Sequence, residues 1–595
     1  ILFFFDIYSL FLLMSIFSSV KIPKVKKSTF NLSHERKLSG NFGSLMPILC
    51  EETLPGDAFK INTELLIKMA PLKAPVMHRL NATVHYFFVP TYQIWDNFED
   101  FINPATTQET VPPYLDFSTV LAFLVAQWVV NNDDSWTADF DVDNFQDLVD
   151  YILGYTYGYI SGVVSNFPSS GVDFLIGTLV DYFGLDVSAA LDAWIVGVST
   201  ITSVGTALDP KISSLPFRAY AHIWNEYYRD ENVMTEIEFS KEDGSNGADA
   251  YTLSLLELCY RCWKKDYFTS ALPSPQAGDD VLLPLGGKIP VEFEGGTYSD
   301  KKLYYDIDNA ISGEQPYQLD GNGVTKPVDV YADLSSVPGV SISELRKSVA
   351  LQSFKELTQR GGKSRYKQLV WSLFNAFLPD YYVDRPVFLG GQKQPISIGE
   401  VVQTSMSVQE GNDVAALGTR AGLAQSFGRT RTVMTKFPCH GYIIGLLSIR
   451  PEATYQQGIH RMWTRRSLFD YAFPQFAHIG EQEIYNRELV FSQSKTYNDG
   501  VFGYTPRYAE YKTGESVVCG QFRKSLDYWH FGRTFNNDGV NSPKLNADFL
   551  QMKPDQMDYD PFAVIDPSVE HVYVDLYNHI TARRPLPYFG TPKLI

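Results

Sequence analysis

Hydrophobic and polar residues alternate in two stretches near opposite ends of the chain. From Ile61 to Met69 every second residue is apolar or Thr, whereas Asn62, Glu64 and Lys68 occupy positions between them. Residues 571–580 show the same period of two. This period is typical of a strand with one buried face, so both stretches are predicted to be half-buried strands.

Four further apolar runs also predict strands, although they do not alternate. The run at 82–89 ends at Pro90, and its continuous aromatic content indicates burial on both faces. The other three are at 441–449, 488–492 and 516–520. Strands near both ends of the chain, separated by long connecting segments, are typical of a Greek-key sandwich, because the first and last strands of that fold meet in one sheet.

Two segments instead show helical spacing. Pro216 stands at a first-turn position before an aromatic stripe that runs from Phe217 to Tyr227, which predicts a core helix. A capping box at Ser341 and Glu344 predicts a second helix, which the Gly361-Gly362 pair ends. Residues 285–330 are rich in Gly and Tyr without a stable period and predict a long loop with hairpin turns.

Acidic residues are concentrated in one part of the chain, which we call the acidic interval (residues 80–210). It contains 17 Asp and Glu and no Lys or Arg, so its formal charge is −17 out of −18 for the whole chain. We expect its short apolar runs to pack onto the sandwich.

A basic segment precedes the first strand. Its cations are Lys21, Lys24, Lys26, Lys27, Arg36 and Lys37. We interpret residues 14–50 as an unstructured arm that either is solvated surface or follows a phosphate backbone. Residues 1–13 resemble a signal peptide but lack a basic leader and a cleavage site, so we interpret them as upstream translation.

Motifs of catalysis and metal binding are weak. The five cysteines are too few for a disulfide framework and fit a reducing compartment. Cys259 and Cys262 have zinc-like spacing without a second ligand pair nearby, so they are predicted to be structural. His440 and His530 are predicted to be buried polar anchors. No catalytic, cofactor-binding or metal-binding residue is assigned.

The stretch Trp263–Gly278 is the most distinctive in the chain. Pro273 and Pro275 force an extended conformation beside several aromatic residues, which predicts a rigid strap packed under aromatic side chains. Its sequence from Asp266 to Gly278 resembles a hallmark of the major capsid proteins of the Microviridae, which are small single-stranded DNA phages. Further motifs follow in the family's order, including Leu54-Pro-Gly-Asp57, Tyr86-Phe-Phe-Val-Pro90, Leu215-Pro-Phe-Arg-Ala-Tyr220, Arg385-Pro386 with Leu389-Gly-Gly391, Tyr455-Gln-Gln-Gly458, Trp529-His530 and Arg584-Pro-Leu-Pro587.

The resemblance, which is closest to the gokushovirus branch, implies a mainly β viral jelly roll, an eight-stranded antiparallel β-sandwich with long loop and helical insertions. Residues 51–595 would form one such domain, with insertions at about 105–210 and 285–335, the latter a surface protrusion. The chain would be a non-enzymatic coat protein that forms pentamers and a closed icosahedral shell, assembled in the bacterial host cytoplasm.

The implied partners are the circular single-stranded DNA genome, a small basic packaging protein, scaffolding and pilot proteins, and a host receptor. No cofactor is implied. Because a strongly acidic surface repels a polyanionic genome, the resemblance also implies that the excess carboxylates of the acidic interval lie on the outer surface or at subunit seams. Bridging by divalent cations and attachment to a host cell are the alternative roles. A secreted or cell-surface β-sandwich that binds or hydrolyses glycans is the alternative, since a carboxylate pair from distant strands cannot be recognised by spacing.

Overall fold

The computed structural model describes residues 26–102, 110–132, 137, 144–164, 167–197, 199–247, 249–276, 278, 288–290, 331–333, 342–361, 384–402, 420–566 and 569–589. Two compact units are distinguished. The larger comprises residues 1–275, 364–367 and 376–595, and the smaller comprises 276–363 and 368–375.

Strands form the framework of the larger unit. Numbered along the chain, the described strands are β1 (Ser28–Asn31), β2 (His34–Gly40), β3 (Met46–Thr53), β4 (Ala58–Met69), β5 (Leu80–Pro90), β6 (Tyr114–Leu115), β7 (Ile212–Ser213), β8 (Ser245–Asn246), β9 (Lys288–Pro290), β10 (Tyr331–Asp333), β11 (Val387–Val402), β12 (Arg420–Arg429), β13 (Val433–Lys436), β14 (Gly441–Pro451), β15 (Glu481–Tyr485), β16 (Val501–Pro506) and β17 (Val572–Arg584).

Ten of these strands form one antiparallel sheet with the order β1-β17-β4-β12-β11-β5-β14-β3, in which β2 also pairs with β17 and β13 with β4. Strand β11 joins its two halves, because residues 387–396 pair with β5 and residues 397–402 pair with β12. A bulge between Phe388 and Gly390 interrupts the β5 pairing, and Gly390 has φ 145°, which favours glycine.

The sheet curls, so that its two halves face each other across the core. The Tyr86 hydroxyl on β5 lies 2.6 Å from the Thr63 hydroxyl on β4. On β17, the Asn578 side-chain amide donates to the Ile48 carbonyl on β3 at 2.9 Å. Both Thr63 and Asn578 are fully buried, and this arrangement is the predicted β-sandwich of jelly-roll type.

The alternating patterns predicted the correct strands. In β17 Val572, Val574 and Leu576 are buried, whereas Tyr573 and Tyr577 are 45% and 39% exposed. This last strand pairs with the early strand β4 along its length, as the Greek-key prediction requires. Strands β5 and β14 confirm two of the apolar runs, and β5 is buried on both faces for most of its length.

Two strand predictions are wrong. Residues 488–492 begin in a short helix at 486–489, where the Glu488 carboxylate accepts a hydrogen bond from the Tyr485 N–H at 3.0 Å and so favours the helical turn. Residues 516–520 form only an isolated bridge between Val517 and Tyr455. Short apolar runs do not distinguish a strand from other packed segments.

Helices occupy the excursions of the larger unit. They are α1 (Phe98–Ile102), α2 (Phe117–Asn132), α3 (Phe145–Leu153), α4 (Tyr157–Ile160), α5 (Leu179–Tyr182), α6 (Ser188–Val196), α7 (Ile201–Leu208), α8 (Leu215–Ile223), α9 (Ala250–Leu256), α11 (Asn486–Leu489), α12 (Lys495–Asn498) and α13 (Ala547–Leu550), with α10 (Ile342–Gly361) in the smaller unit. The predicted aromatic helix is α8, which continues as a π-helix over Trp224–Tyr228. Helices α2 to α7 form what we call the helical insertion (residues 117–208).

The smaller unit is described only in part. It contains the antiparallel pair β9 and β10 and the 20-residue helix α10, which confirms the helix predicted to end at Gly361. The long loop predicted at 285–330 lies outside the described residues except for β9. Among the described residues, no helix combines the length and apolar character that crossing a membrane requires.

Candidate nucleic-acid and assembly surfaces

The six cations of the predicted arm do not form one described cluster. Lys21 and Lys24 lie outside the described residues. Lys26 and Lys27 directly precede β1 and are exposed, and the Lys27 ammonium donates to the Gly56 carbonyl. Exposed cations on the approach to an edge strand remain accessible to a phosphate backbone.

Arg36 and Lys37 are placed differently, because residues 28–40 are not an extended arm. They form β1 and β2, which pair with β17 along the edge of the sheet. Arg36 donates to the Tyr182 carbonyl at 2.7 Å, and burial lowers the pKa of its guanidinium. Lys37 is already paired with Glu35 at 2.5 Å. The expectation of an unstructured segment therefore fails here, because backbone pairing outweighs the lack of an apolar pattern.

The strap at Trp263–Gly278 is packed as predicted in its described part. Asp266 accepts hydrogen bonds from the N–H groups of Phe268 and Thr269, at 3.0 and 2.8 Å, which closes a tight turn. The chain then extends, and Leu272 pairs with Tyr504 through two backbone hydrogen bonds of 2.8 Å. Phe268 is 1% exposed. The turn therefore needs a side chain such as Asp at position 266 to accept these hydrogen bonds, and the core needs an apolar ring at position 268.

Beneath the strap lies a buried set of charges that sequence analysis missed. The Tyr267 hydroxyl donates to Glu488 at 2.9 Å, and Arg461 lies 3.5 Å from the same carboxylate. Glu510 accepts from the Gln482 amide at 2.6 Å. These partners come from separate segments, so no spacing in the sequence could reveal them. The hydrogen bond between Tyr267 and Glu488 connects the strap to the segment at residues 460–515.

Several of the family-like motifs converge on one open cleft beside the strap, which we call the aromatic cleft. Phe87 comes from the Tyr86-Phe-Phe motif, and Phe388 lies between Arg385-Pro386 and Leu389-Gly-Gly391. With Tyr227 and Tyr228 they form the wall of a cavity of about 430 Å³. The Phe87 ring centroid lies 4.8 Å from that of Tyr227 and 5.4 Å from that of Phe388.

The rim of the aromatic cleft is cationic. Arg261, Lys264, Lys265 and Arg450 line it, and no carboxylate does so among the described residues. His85 also lines the cleft, and its Nδ1 forms a 2.7 Å hydrogen bond with the Tyr228 hydroxyl. Burial, together with Arg261 and Arg450, lowers the pKa of His85 to about 3, so this ring is neutral near pH 7. The cleft can therefore receive a flat ring and an anion.

The acidic interval keeps its described carboxylates near solvent. Of its 17 acidic residues, the structure describes 11, and none of these 11 is buried. The apolar run at 121–125 is fully buried within α2. It was expected to pack onto the sandwich, but α2 packs mainly against α3 and α7. Whether the carboxylates face outward on an assembled particle or a seam stays a prediction, since only one subunit is described.

The predicted structural cysteines are buried or half-buried. Cys259 belongs to the core, and burial raises the pKa of Cys262 to about 11. Among the described residues, no group of three or more potential ligands could hold a metal ion. His530 is the predicted anchor, with its ring nitrogens 2.8 Å from the Phe522 carbonyl and 2.9 Å from the Gly532 N–H. His440 is only half-buried, against Phe98.

Comparison with known proteins gives a consistent result. A family model described as capsid protein (F protein) matches residues 18–122 and 192–594. The capsid protein VP1 of Bdellovibrio phage phiMH2K is 30% identical over 606 residues, and those of Chlamydia phage 1 and Spiroplasma virus 4 are 29% and 28% identical over 662 and 610 residues. Each alignment covers 97% of both chains. These matches favour a coat protein over the glycan-binding alternative.

Proposed function

This chain belongs to the capsid protein (F protein) family of the Microviridae, as a gokushovirus-like major capsid protein, and we propose that it forms a closed icosahedral shell with one copy per asymmetric unit. Its role in the virion is structural. We further propose that it has no enzymatic activity and is assembled in the host cytoplasm, through pentamers, with scaffolding and pilot proteins.

The observation that supports shell formation most strongly is the exposure of large apolar side chains on the sandwich and on the segments that connect its strands. Trp463 is 75% exposed, Phe427 76% and Phe469 55%. A soluble monomer rarely exposes many such groups, whereas closed symmetry covers them with neighbouring copies.

Assembly can be tested by negative-stain microscopy of the purified chain, alone and with its scaffolding partners. We expect pentamers or closed shells of uniform diameter. A protein that stays monomeric at high concentration with the scaffold present would refute shell formation.

We also propose that the basic segment contacts the genome through Lys21, Lys24, Lys26 and Lys27, with a small basic packaging protein as a second contact. Arg36 and Lys37 contribute less, because the fold already engages them. Each phosphate contact to single-stranded DNA makes the slope of the logarithm of the binding constant against the logarithm of the salt concentration more negative by about 0.7.

The triple variant Lys24→Gln, Lys26→Gln and Lys27→Gln should therefore flatten the salt dependence of DNA retention by about 2. The matched control is Lys37→Gln, which removes a paired cation and should leave the slope unchanged. An unaltered slope in the triple variant would show that the segment is solvated or binds only other subunits.

A further inference from the structure

The aromatic cleft contains two half-buried cations, Arg261 and Arg450, without carboxylate partners. Arg261 donates to the Ser448 hydroxyl at 2.7 Å and Arg450 to the Cys262 carbonyl at 2.6 Å, and both acceptors are neutral. Among the described residues, neither guanidinium forms an ion pair. Burying an unneutralised charge is costly, and two like charges at one cleft increase that cost.

Nearby carboxylates are already engaged by other cations. Glu452 is paired with Lys264 at 3.0 Å and with Lys393 at 3.1 Å. Asp230 is paired with Lys265. Burial, and next the charge of Arg261, lowers the pKa of Arg450 to about 10, which is still high enough to keep it charged near pH 7. Glu452 and Asp230 therefore offset the charges of Lys264 and Lys265, whereas Arg261 and Arg450 have no carboxylate paired with them among the described residues.

The aromatic wall gives a second and independent indication of the ligand. Phe388 is 45% exposed although it lies among other rings, so one aromatic surface remains open to solvent. Exposed aromatic rings beside cations are how proteins bind single-stranded nucleic acids, with stacked bases and paired phosphates. A cavity of about 430 Å³ falls within the usual range for a small-ligand site.

We propose that the aromatic cleft binds one nucleotide of single-stranded DNA, with its base against Phe388 and its phosphate on Arg261 and Arg450. This rests on the proposed genome contact but concerns a site distinct from the basic segment. A guanidinium suits this task because it presents several donors in one plane to phosphate oxygens. Stacking tolerates any base, so the site does not require a particular sequence.

The test uses the full-length chain and two probes, a twelve-residue oligothymidylate and free thymidine monophosphate. Binding is followed by quenching of tryptophan fluorescence, since Trp263 lines the cleft. Phe388→Ala should weaken oligonucleotide binding roughly tenfold. Arg450→Gln should weaken it by a similar factor and flatten the salt slope by about 0.7.

Matched controls are available outside the cleft. Phe427→Ala removes an aromatic ring that is 76% exposed outside the cleft, and Arg466→Gln removes an exposed guanidinium. Neither should alter binding of either probe by more than a factor of two. Phe388→Ala and Phe427→Ala both remove partly exposed rings, so both variants should fold.

The outcomes separate this proposal from the proposed function. If shells form but Phe388→Ala and Arg450→Gln bind the oligonucleotide like the parent chain, the cleft proposal is wrong and the capsid function stands. Binding of free thymidine monophosphate alone would show a nucleotide site unrelated to the genome and would also overturn it.

Discussion

The sandwich and the helical insertion bury their apolar side chains in different ways. The sandwich alternates buried and exposed residues along strands that pair across long sequence distances, as β4 does with β17. In the insertion, α2 is apolar on nearly all sides and is buried by the short helices that follow it. The carboxylates of the insertion that the structure describes also lie outside the core.

The match to the family model also distinguishes the sandwich from the helical insertion. The family model matches on both sides of residues 123–191 but not within them, and this gap lies inside the helical insertion. The strands of the sandwich lie within the matched residues, whereas the central part of the insertion does not match the family model. A framework of paired strands has to keep its pairing partners, but an insertion only has to bury its own apolar residues.

The largest expected effect distinguishes the two cores. Phe88 and Phe123 are both fully buried, the first in the sandwich against Phe437 and the second in the insertion against Phe145. Replacing either with Ala should cost about 3–5 kcal/mol locally. We expect Phe88→Ala to abolish soluble shells, whereas Phe123→Ala leaves the sandwich folded.

Hydrogen exchange with mass spectrometry provides the measurement for this pair. Phe123→Ala should raise exchange in α2 and α3 only, with β4, β5 and β17 still protected. Loss of protection in β17 as well would show that the two regions unfold as one cooperative unit.

Outside the insertion, the carboxyl of Glu515 is largely buried, with its side chain 12% exposed. Burial, with contributions from Glu488 and Asp266, raises the pKa of Glu515 to about 7. In the unfolded chain this carboxyl ionises near pH 4.5, so the unfolded state loses its proton first as pH rises. Stability should therefore fall between about pH 4.5 and 7 and stay level above that range.

Glu515→Gln removes this titration and should stabilise the protein at pH 7.5 by on the order of 1–2 kcal/mol relative to its effect at pH 4.5. Thermal unfolding at the two pH values measures the difference. Asp173→Asn in the insertion, at an exposed position, is the control and should show no such dependence. Equal pH profiles for parent and Glu515→Gln would contradict the assignment.

A smaller effect concerns the junction between the two regions. The Tyr182 hydroxyl on α5 donates to the Ser39 carbonyl on β2 at 2.8 Å and lies 3.2 Å from the Glu570 carboxylate. Tyr182→Phe should cost about 1 kcal/mol and lower the unfolding temperature of the sandwich slightly. Tyr157→Phe breaks a 2.9 Å bond to the Pro168 carbonyl within the insertion, so its effect should stay there.

Limited proteolysis reports on each region separately. Cleavage near β2 should increase in Tyr182→Phe only. If both variants lower the unfolding temperature equally, the junction is not a separate contact and the insertion contributes directly to the stability of the sheet.

The sequence predicted the sandwich better than the sites because its signal is local. Period two along 58–69 and 571–580 identified β4 and β17, and the family motifs identified the strap. The strands β1 and β2 were missed because edge strands depend on pairing with β17 more than on their own pattern. The aromatic cleft was missed because its rings come from four separate segments that only the fold brings together.

The smallest expected effect on stability comes from the exposed carboxylates of the acidic interval. Asp100 and Asp173 are exposed, and neutralising exposed charges usually changes the free energy of unfolding by less than about 0.5 kcal/mol. The double variant Asp100→Asn with Asp173→Asn should therefore form shells like the parent chain. If these carboxylates lie on the outer surface and select a cationic host partner, adsorption to cells should decrease and should become less sensitive to salt.

The control, Glu238→Gln with Asp555→Asn, removes the same charge from exposed positions outside the interval and should leave adsorption unchanged. Shells that fail to form in the acidic-interval variant, or parent shells that dissociate with a chelator while the variant resists it, would place these carboxylates at subunit seams instead.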